Sequence, residues 1–376
     1  NAGSDGLQHV HDVYPTANKA VKFYYPAAST FQVNDASTSF VANPESAGLF
    51  LSKDTAAANA FVMTAEVKNT GNTALAGFNV GANIKNQSNV NQPLIGGGNT
   101  ATYATGALTQ GQTEAVTFTK TWRHGTVGAF SYNVSTQLSG DATPTNNQKT
   151  VEIRVVDTST TSTRLAFDNG VAAGNGIAWA GGSAGIGVEF PLPYSPVLLT
   201  TVHFYIAANA AVPVGCFIKI FDNSGPNGGP GALLDSVYVD PSNITVGSYN
   251  DVTLSSPLTI TSSSVYVGWL MGGEGIGLGQ NSVAPFSNRM YEIFGTNWSP
   301  YRDKEIEDLM INITIANPLS VGIKKNSDLN DRVGNFYPNP TNNNVTIRFS
   351  SEKSNQRVDY KIYDMKGQLV AGSKFI

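Results

Sequence analysis

Apolar and polar residues alternate in short runs along most of this chain, and the runs break every ~8–12 residues at Gly, Pro, Asn or Asp. A period of two places successive side chains on opposite faces of a strand, whereas the 3.6-residue period of an amphipathic helix is nearly absent. The pattern predicts strands over Phe61–Lys68, Val116–Trp122, Phe130–Leu138, Val151–Val156, Val202–Ile206, Phe217–Phe221, Val265–Leu270, Leu309–Ile315, Val345–Phe349 and Val358–Tyr363. Between strands, Lys68-Asn69-Thr70-Gly71-Asn72 reads as a turn, because Asn and Gly tolerate left-handed backbone. The expected fold class is all-β.

Two stretches interrupt the alternation. Asp157-Thr158-Ser159-Thr160-Thr161-Ser162-Thr163 is uniformly polar and is expected to be a flexible joint. Asn317–Asp331 carries mixed charge without periodicity. They divide the chain into 1–157, 164–317 and 332–376, matching the two or three domains expected for 376 residues. The expected architecture is tandem β-sandwiches followed by a partial one.

The first segment carries Asn69-Thr70-Gly71, Gly111-Gln112-Thr113 and Asp141-Ala142-Thr143-Pro144-Thr145-Asn146-Asn147 in order, each beside a predicted strand. Over about residues 55–157 this resembles the CARDB-like group of bacterial immunoglobulin-like domains, which implies an immunoglobulin-like sandwich. The middle segment runs from Leu165-Ala166-Phe167-Asp168-Asn169-Gly170 to Asp308-Leu309-Met310-Ile311-Asn312-Ile313. It looks like the jelly-roll-like accessory domains attached to secreted bacterial enzymes and adhesins.

The tail is the most specific part. Asn335-Phe336-Tyr337-Pro338-Asn339-Pro340-Thr341 leads into Val345–Phe349, and Val358–Tyr363 leads into Asp364-Met365-Lys366-Gly367. Pro338 and Pro340 fix φ and bias the preceding residues toward extended backbone, and Gly367 sits where a hairpin needs positive φ. The ordered combination resembles the type A C-terminal sorting domain of type IX secretion substrates. Tyr337, Pro338, Asn339, Pro340, Tyr363, Asp364 and Gly367 fall on its motif. The resemblance implies a secreted protein, extracellular or on the outer-membrane surface of a Gram-negative bacterium, with the type IX machinery as partner. Family members run further, so the sorting domain is expected to be incomplete at Ile376, leaving strand edges that a second copy or a secretion partner would cover.

Composition narrows the classes. Charged residues make up 13%, about half the usual share, so the polar surface rests on Ser, Thr, Asn, Gln and Gly. Net charge is −4 with no basic block, which excludes the footprint of a nucleic-acid binder and of a polybasic membrane anchor. The one cysteine, Cys216, lies in an apolar run and is expected to be a buried small hydrophobe. No run of ~18 apolar residues occurs, and a signal peptide is expected to have been removed or to lie outside this numbering.

No catalytic set emerges. Gly181-Gly182-Ser183-Ala184-Gly185 fits G-x-S-x-G, but Ile186–Pro193 cannot be the helix that a nucleophile elbow requires. The glycine-dense 272–279 lacks dinucleotide-loop spacing. His9, His11, His124 and His203 form no metal set by spacing. No resident cofactor is expected. Asp222, Asn223 and Asp235 offer oxygen ligands for Ca²⁺, though without EF-hand spacing, and a capped turn is the plainer reading. Trp269, Trp298 and Tyr301 are the candidates for a flat surface that stacks on sugar rings, with core packing as the alternative. The first functional expectation is a self-associating structural or adhesive surface protein, not an enzyme as it stands. The alternatives are a carbohydrate-binding accessory protein that meets a surface glycan, and the C-terminal part of a secreted peptidase or other hydrolase whose catalytic domain precedes Asn1.

Overall fold

The computed structural model describes residues 32–54, 59–178, 184–208, 214–271 and 276–318, together with the short segments 332–333, 349–350, 358–363 and 369–375. These residues are built from strands, turns and three single-turn 3₁₀ segments, as an all-β fold requires. The chain divides into two compact units between Ser320 and Val321.

The first sandwich uses β1 (Ala36–Val41), β2 (Leu49–Ser52), β3 (Phe61–Asn69), β4 (Asn79–Asn86), β5 (Ala101–Ala104), β6 (Thr113–Trp122), β7 (Gly128–Thr136) and β8 (Gln148–Val156). One sheet has the order β1-β3-β6 and the other β2-β8-β7-β4-β5, with β2 parallel to β8. Alternation sorts each strand. In β7, Phe130, Tyr132 and Val134 point into the core while Ser131, Asn133 and Ser135 face outward. In β8, Val151, Ile153 and Val155 enter the same core.

The second sandwich comprises β9 (Thr163–Leu165), β10 (Ala173–Ile177), β11 (Ala184–Pro191), β12 (Val197–Ile206), β13 (Cys216–Phe221), β14 (Leu233–Val239), β15 (Ser248–Ile260), β16 (Ser264–Met271), β17 (Leu278–Asn281), β18 (Met290–Phe294), β19 (Asn297–Pro300), β20 (Asp308–Leu309) and β21 (Ile311–Ala316). One sheet runs β10-β17-β12-β21-β9, with β15 on β12 and β20 on β17, and the facing sheet runs β14-β13-β16-β11-β18-β19.

The two sandwiches have separate cores, and two residues of the first enter the core of the second. Phe50 of β2 and Val156 of β8 are buried in the second sandwich, where the Phe50 ring lies 4.5 Å from that of Phe167. Gly48 N donates to Ser287 O (2.6 Å), and Arg289 Nε donates back to Gly48 O (2.9 Å). The polar run 157–163, expected from its composition to be a flexible joint, is a hydrogen-bonded segment here. Asp157 Oδ1 accepts from Ser159 N and Oγ (3.0 and 2.5 Å), and Thr163 Oγ1 donates to Asp157 O (2.8 Å), making a short turn between docked bodies.

The second unit contains β22 (Arg332–Val333) paired antiparallel with β23 (Phe349–Ser350), and β24 (Val358–Tyr363) paired antiparallel with β25 (Leu369–Phe375). The predicted strand Val358–Tyr363 is thus one arm of a hairpin.

Candidate functional site

The outward row of β8 defines the site. Gln148 and Thr150 are accessible, the next outward residue, Glu152, is wholly buried, and Val156 ends in the second core. The second sandwich covers one end of this sheet face and leaves the other end open. At the open end the sheet and the 284–288 segment bound a cleft of about 720 Å³. Its floor is Ser131, Asn133, Gln148 and Thr150, and its walls include Gln87 and Phe286. A volume near this value is usual for small-ligand sites.

The polar floor is held in place. Asn133 Nδ2 donates to Asn83 Oδ1 and Ser131 Oγ (3.2 Å each), and Thr150 Oγ1 donates to Asn133 Oδ1 (2.8 Å). The β4 end of the wall is fixed as well, since Asn86 Oδ1 accepts from Val90 N (2.9 Å). Charge in the cleft is balanced, with Glu45 and Glu305 against Lys149 and Lys304.

Two smaller depressions continue the cleft. One, of about 250 Å³, lies over β4, β5 and β7 and shares Asn133 and Gln148 with it. The other, of about 310 Å³, lies on the six-stranded sheet and shares Glu45, Asn288 and Lys304. Tyr266, Tyr291, Asn223 and Asn227 line this second depression, beside the paired Arg289 Nη1 and Glu189 Oε2 (2.6 Å). Asn288 Oδ1 is buried without a hydrogen-bond partner where the two parts meet.

Behind the cleft lie three buried carboxylates. Arg154 Nε donates to Glu152 Oε1, and its Nη2 donates to Phe167 O. Asp308 accepts from Ser287 Oγ (2.5 Å) and Ser287 N, and Asp168 Oδ1 accepts from Tyr249 OH (2.6 Å). Burial pushes the Glu152 carboxyl well above the usual range, against the opposing pull of Arg154. Burial likewise raises Asp308 to about 7, although Ser287 and Arg154 act to lower it.

The aromatic candidates do not form a surface. Trp269 is wholly buried in the second core and Tyr301 is 2% exposed, its hydroxyl donating to Glu307. A ring without an accessible face cannot stack on a sugar. Trp298 is half-buried, with ring centroids 5.4 Å from Phe221, 5.8 Å from Tyr266 and 6.0 Å from Tyr291. It belongs to the cluster behind the tyrosine-lined depression.

His203 meets Asp251 Oδ1 through Nδ1 (2.6 Å) and Thr314 Oγ1 through Nε2 (2.7 Å), the distances of a hydrolytic triad. The setting differs, because Thr314 lies in β21, paired on both sides by β12 and β9, so the ladder occupies the backbone groups that an oxyanion would need. Of the other histidines, His124 Nε2 contacts Asn59 O (2.7 Å), and His9 and His11 lie outside the described residues. Ser183 also lies outside them, and Ala184 immediately opens strand β11 instead of a helix. Cys216 is buried, and burial pushes its thiol up to about 12, which suits a packing role.

Asp222 Oδ1 accepts from Ser224 N (3.0 Å), Ser224 Oγ (2.6 Å) and Ala232 N (2.8 Å), so this carboxylate closes its own loop. Asn223 Nδ2 donates to Ser263 Oγ (3.1 Å), and Asp235 Oδ1 accepts from Ser236 N (2.7 Å). Among the described residues no group of three or more His, Cys, Asp or Glu side chains is arranged to hold a metal ion. Of the tail motif, Tyr363 ends β24, while Tyr337, Pro338, Asn339, Pro340, Asp364 and Gly367 lie outside the described residues.

Residues 335–376 match the family model of a secretion system C-terminal sorting domain, and this tail supports a type IX sorting signal. No curated protein sequence matches the chain. Among solved structures, a domain of a putative cell surface protein from Methanosarcina acetivorans is similar at 18% identity and a TM-score of 0.24, over 33% of this chain and 92% of that one. A clostridial cysteine protease after propeptide cleavage is similar at 10% identity and a TM-score of 0.30, over 64% and 66%. A carbohydrate-binding module of the β-sandwich superfamily is similar at 11% identity and a TM-score of 0.19, over 70% and 93%. At such scores they speak to no shared function.

Proposed function

We propose that this chain is a secreted structural or adhesive protein displayed on a Gram-negative cell surface by the type IX machinery, with a body that binds rather than transforms its partner. The sorting-domain match over residues 335–376 carries this reading. The body supports it, because two sandwiches docked through Phe50, Val156 and the Gly48–Arg289 bonds make a presenting unit. We read the first sandwich as CARDB-like and the second as jelly-roll-like.

Self-association has a physical handle. Among the described residues strand β14 is the edge of its sheet, pairing only with β13, and it exposes Leu233, Leu234 and Tyr238. An apolar, unpaired edge is a template for another strand. Immunogold electron microscopy of intact producing cells tests the reading. Label on the cell exterior is expected, and label confined to the cytoplasm would refute it.

A further inference from the structure

We propose that the groove crossing the seam between the two sandwiches binds an extended, neutral oligosaccharide. This deepens the surface-display reading and rests on it. The three depressions adjoin in a row, since each smaller one shares lining residues with the central cleft. An elongated occupant fits such a shape better than a compact one.

The lining selects the chemistry. Gln148 and Gln87 each offer a carbonyl acceptor and an NH₂ donor, and the hydroxyls of Ser131 and Thr150 keep hydrogen-bonding capacity beyond their bonds to Asn133. Sugar hydroxyls also both donate and accept, so adjacent hydroxyls match an amide in two-point contact. Two glutamates balance two lysines in the central cleft, so no single-sign field favours phosphate, sulfate or nucleic acid. An extended peptide would seek a free sheet edge, but the floor strands β7 and β8 are paired on both sides. Tyr291 and Pro300 at one end supply apolar surface for a sugar ring.

The floor needs little ordering on binding, because the Asn83–Asn133–Thr150 bonds already fix it.

The test is calorimetry on the full chain with neutral gluco-, xylo- and manno-hexasaccharides and one sulfated hexasaccharide. At least one neutral hexasaccharide is expected to bind. Gln148→Ala, at an exposed site, combined with Asn133→Ala should weaken it at least tenfold, and Tyr291→Ala should do the same from the other sandwich. Gln148→Ala alone should weaken it several-fold with unchanged Tm, which separates lost contact from lost fold. Absence of neutral-glycan binding, binding of the sulfated probe only, or affinity untouched by all three variants would overturn the proposal. Surface display is read independently by microscopy, so a displayed chain that binds no glycan would sink the groove alone.

Discussion

Glu152 and Asp308 carry carboxylates from opposite sandwiches into a seam where both are almost fully buried. Asp308 has its folded pKa raised from an unfolded value of 3.8 to about 7, so the native chain holds a proton there that the unfolded chain has released. Its contribution to stability is fully present below about pH 4 and falls as pH rises toward 7, by up to roughly 4 kcal/mol. Glu152 moves in the same direction. Asp308→Asn keeps an acceptor for Ser287 and removes the charge. Urea denaturation should show the variant more stable than the parent at pH 8 and similar near pH 4, and an unchanged pH profile would refute the assignment. Glycines carry a different message. Gly71 was legible as a turn residue, but its role is space, because a Cβ there would lie 2.1 Å from Val33 O. A Cβ on Gly187 would lie 1.8 Å from Trp298 Cζ3, so the indole packs against the bare strand. Gly187→Ala should destabilise the second sandwich by about 1–3 kcal/mol through overpacking, read as a lowered urea midpoint.

At the scale of elements, alternation located strands whose inner face is apolar, such as β3, β7 and β8. It missed β11, whose Gly185 and Gly187 replace the outward side chains, and β15, which is polar and contains Pro257. Proline is tolerated in β15 because Pro257 falls in the register shift between Thr253 and Leu258, where the ladder with β12 is interrupted. The outward polar positions Ser131, Asn133 and Ser135 were readable as a sheet face, but the cover from 284–305 was not, since no periodicity links residues so distant. The sequence drew attention instead to tryptophans, one of which is core. Strand β2 escaped notice too, though Phe50 ties the bodies together. Phe50→Ala should cost about 3–5 kcal/mol and loosen the coupling of the sandwiches, visible in calorimetry as a lower and broader transition. Lysines at Leu233 and Tyr238 should abolish concentration-dependent association in analytical ultracentrifugation, and unchanged association would remove β14 as the contact.

As a whole molecule, the chain joins a docked pair of sandwiches to a tail of a different kind. The body's cleft, the proposed binding surface, lies where one sandwich leaves part of its neighbour's sheet uncovered. The tail carries a family match and the body carries the groove, so the sorting signal and the proposed recognition surface reside in separate parts of the sequence. Export is the premise on which surface function stands. The most direct test is fractionation of the native host producing the chain with and without residues 335–376. The intact chain should reach the cell surface or medium, and the truncated chain should accumulate folded in the periplasm. Equal amounts of both outside the cell would contradict the account.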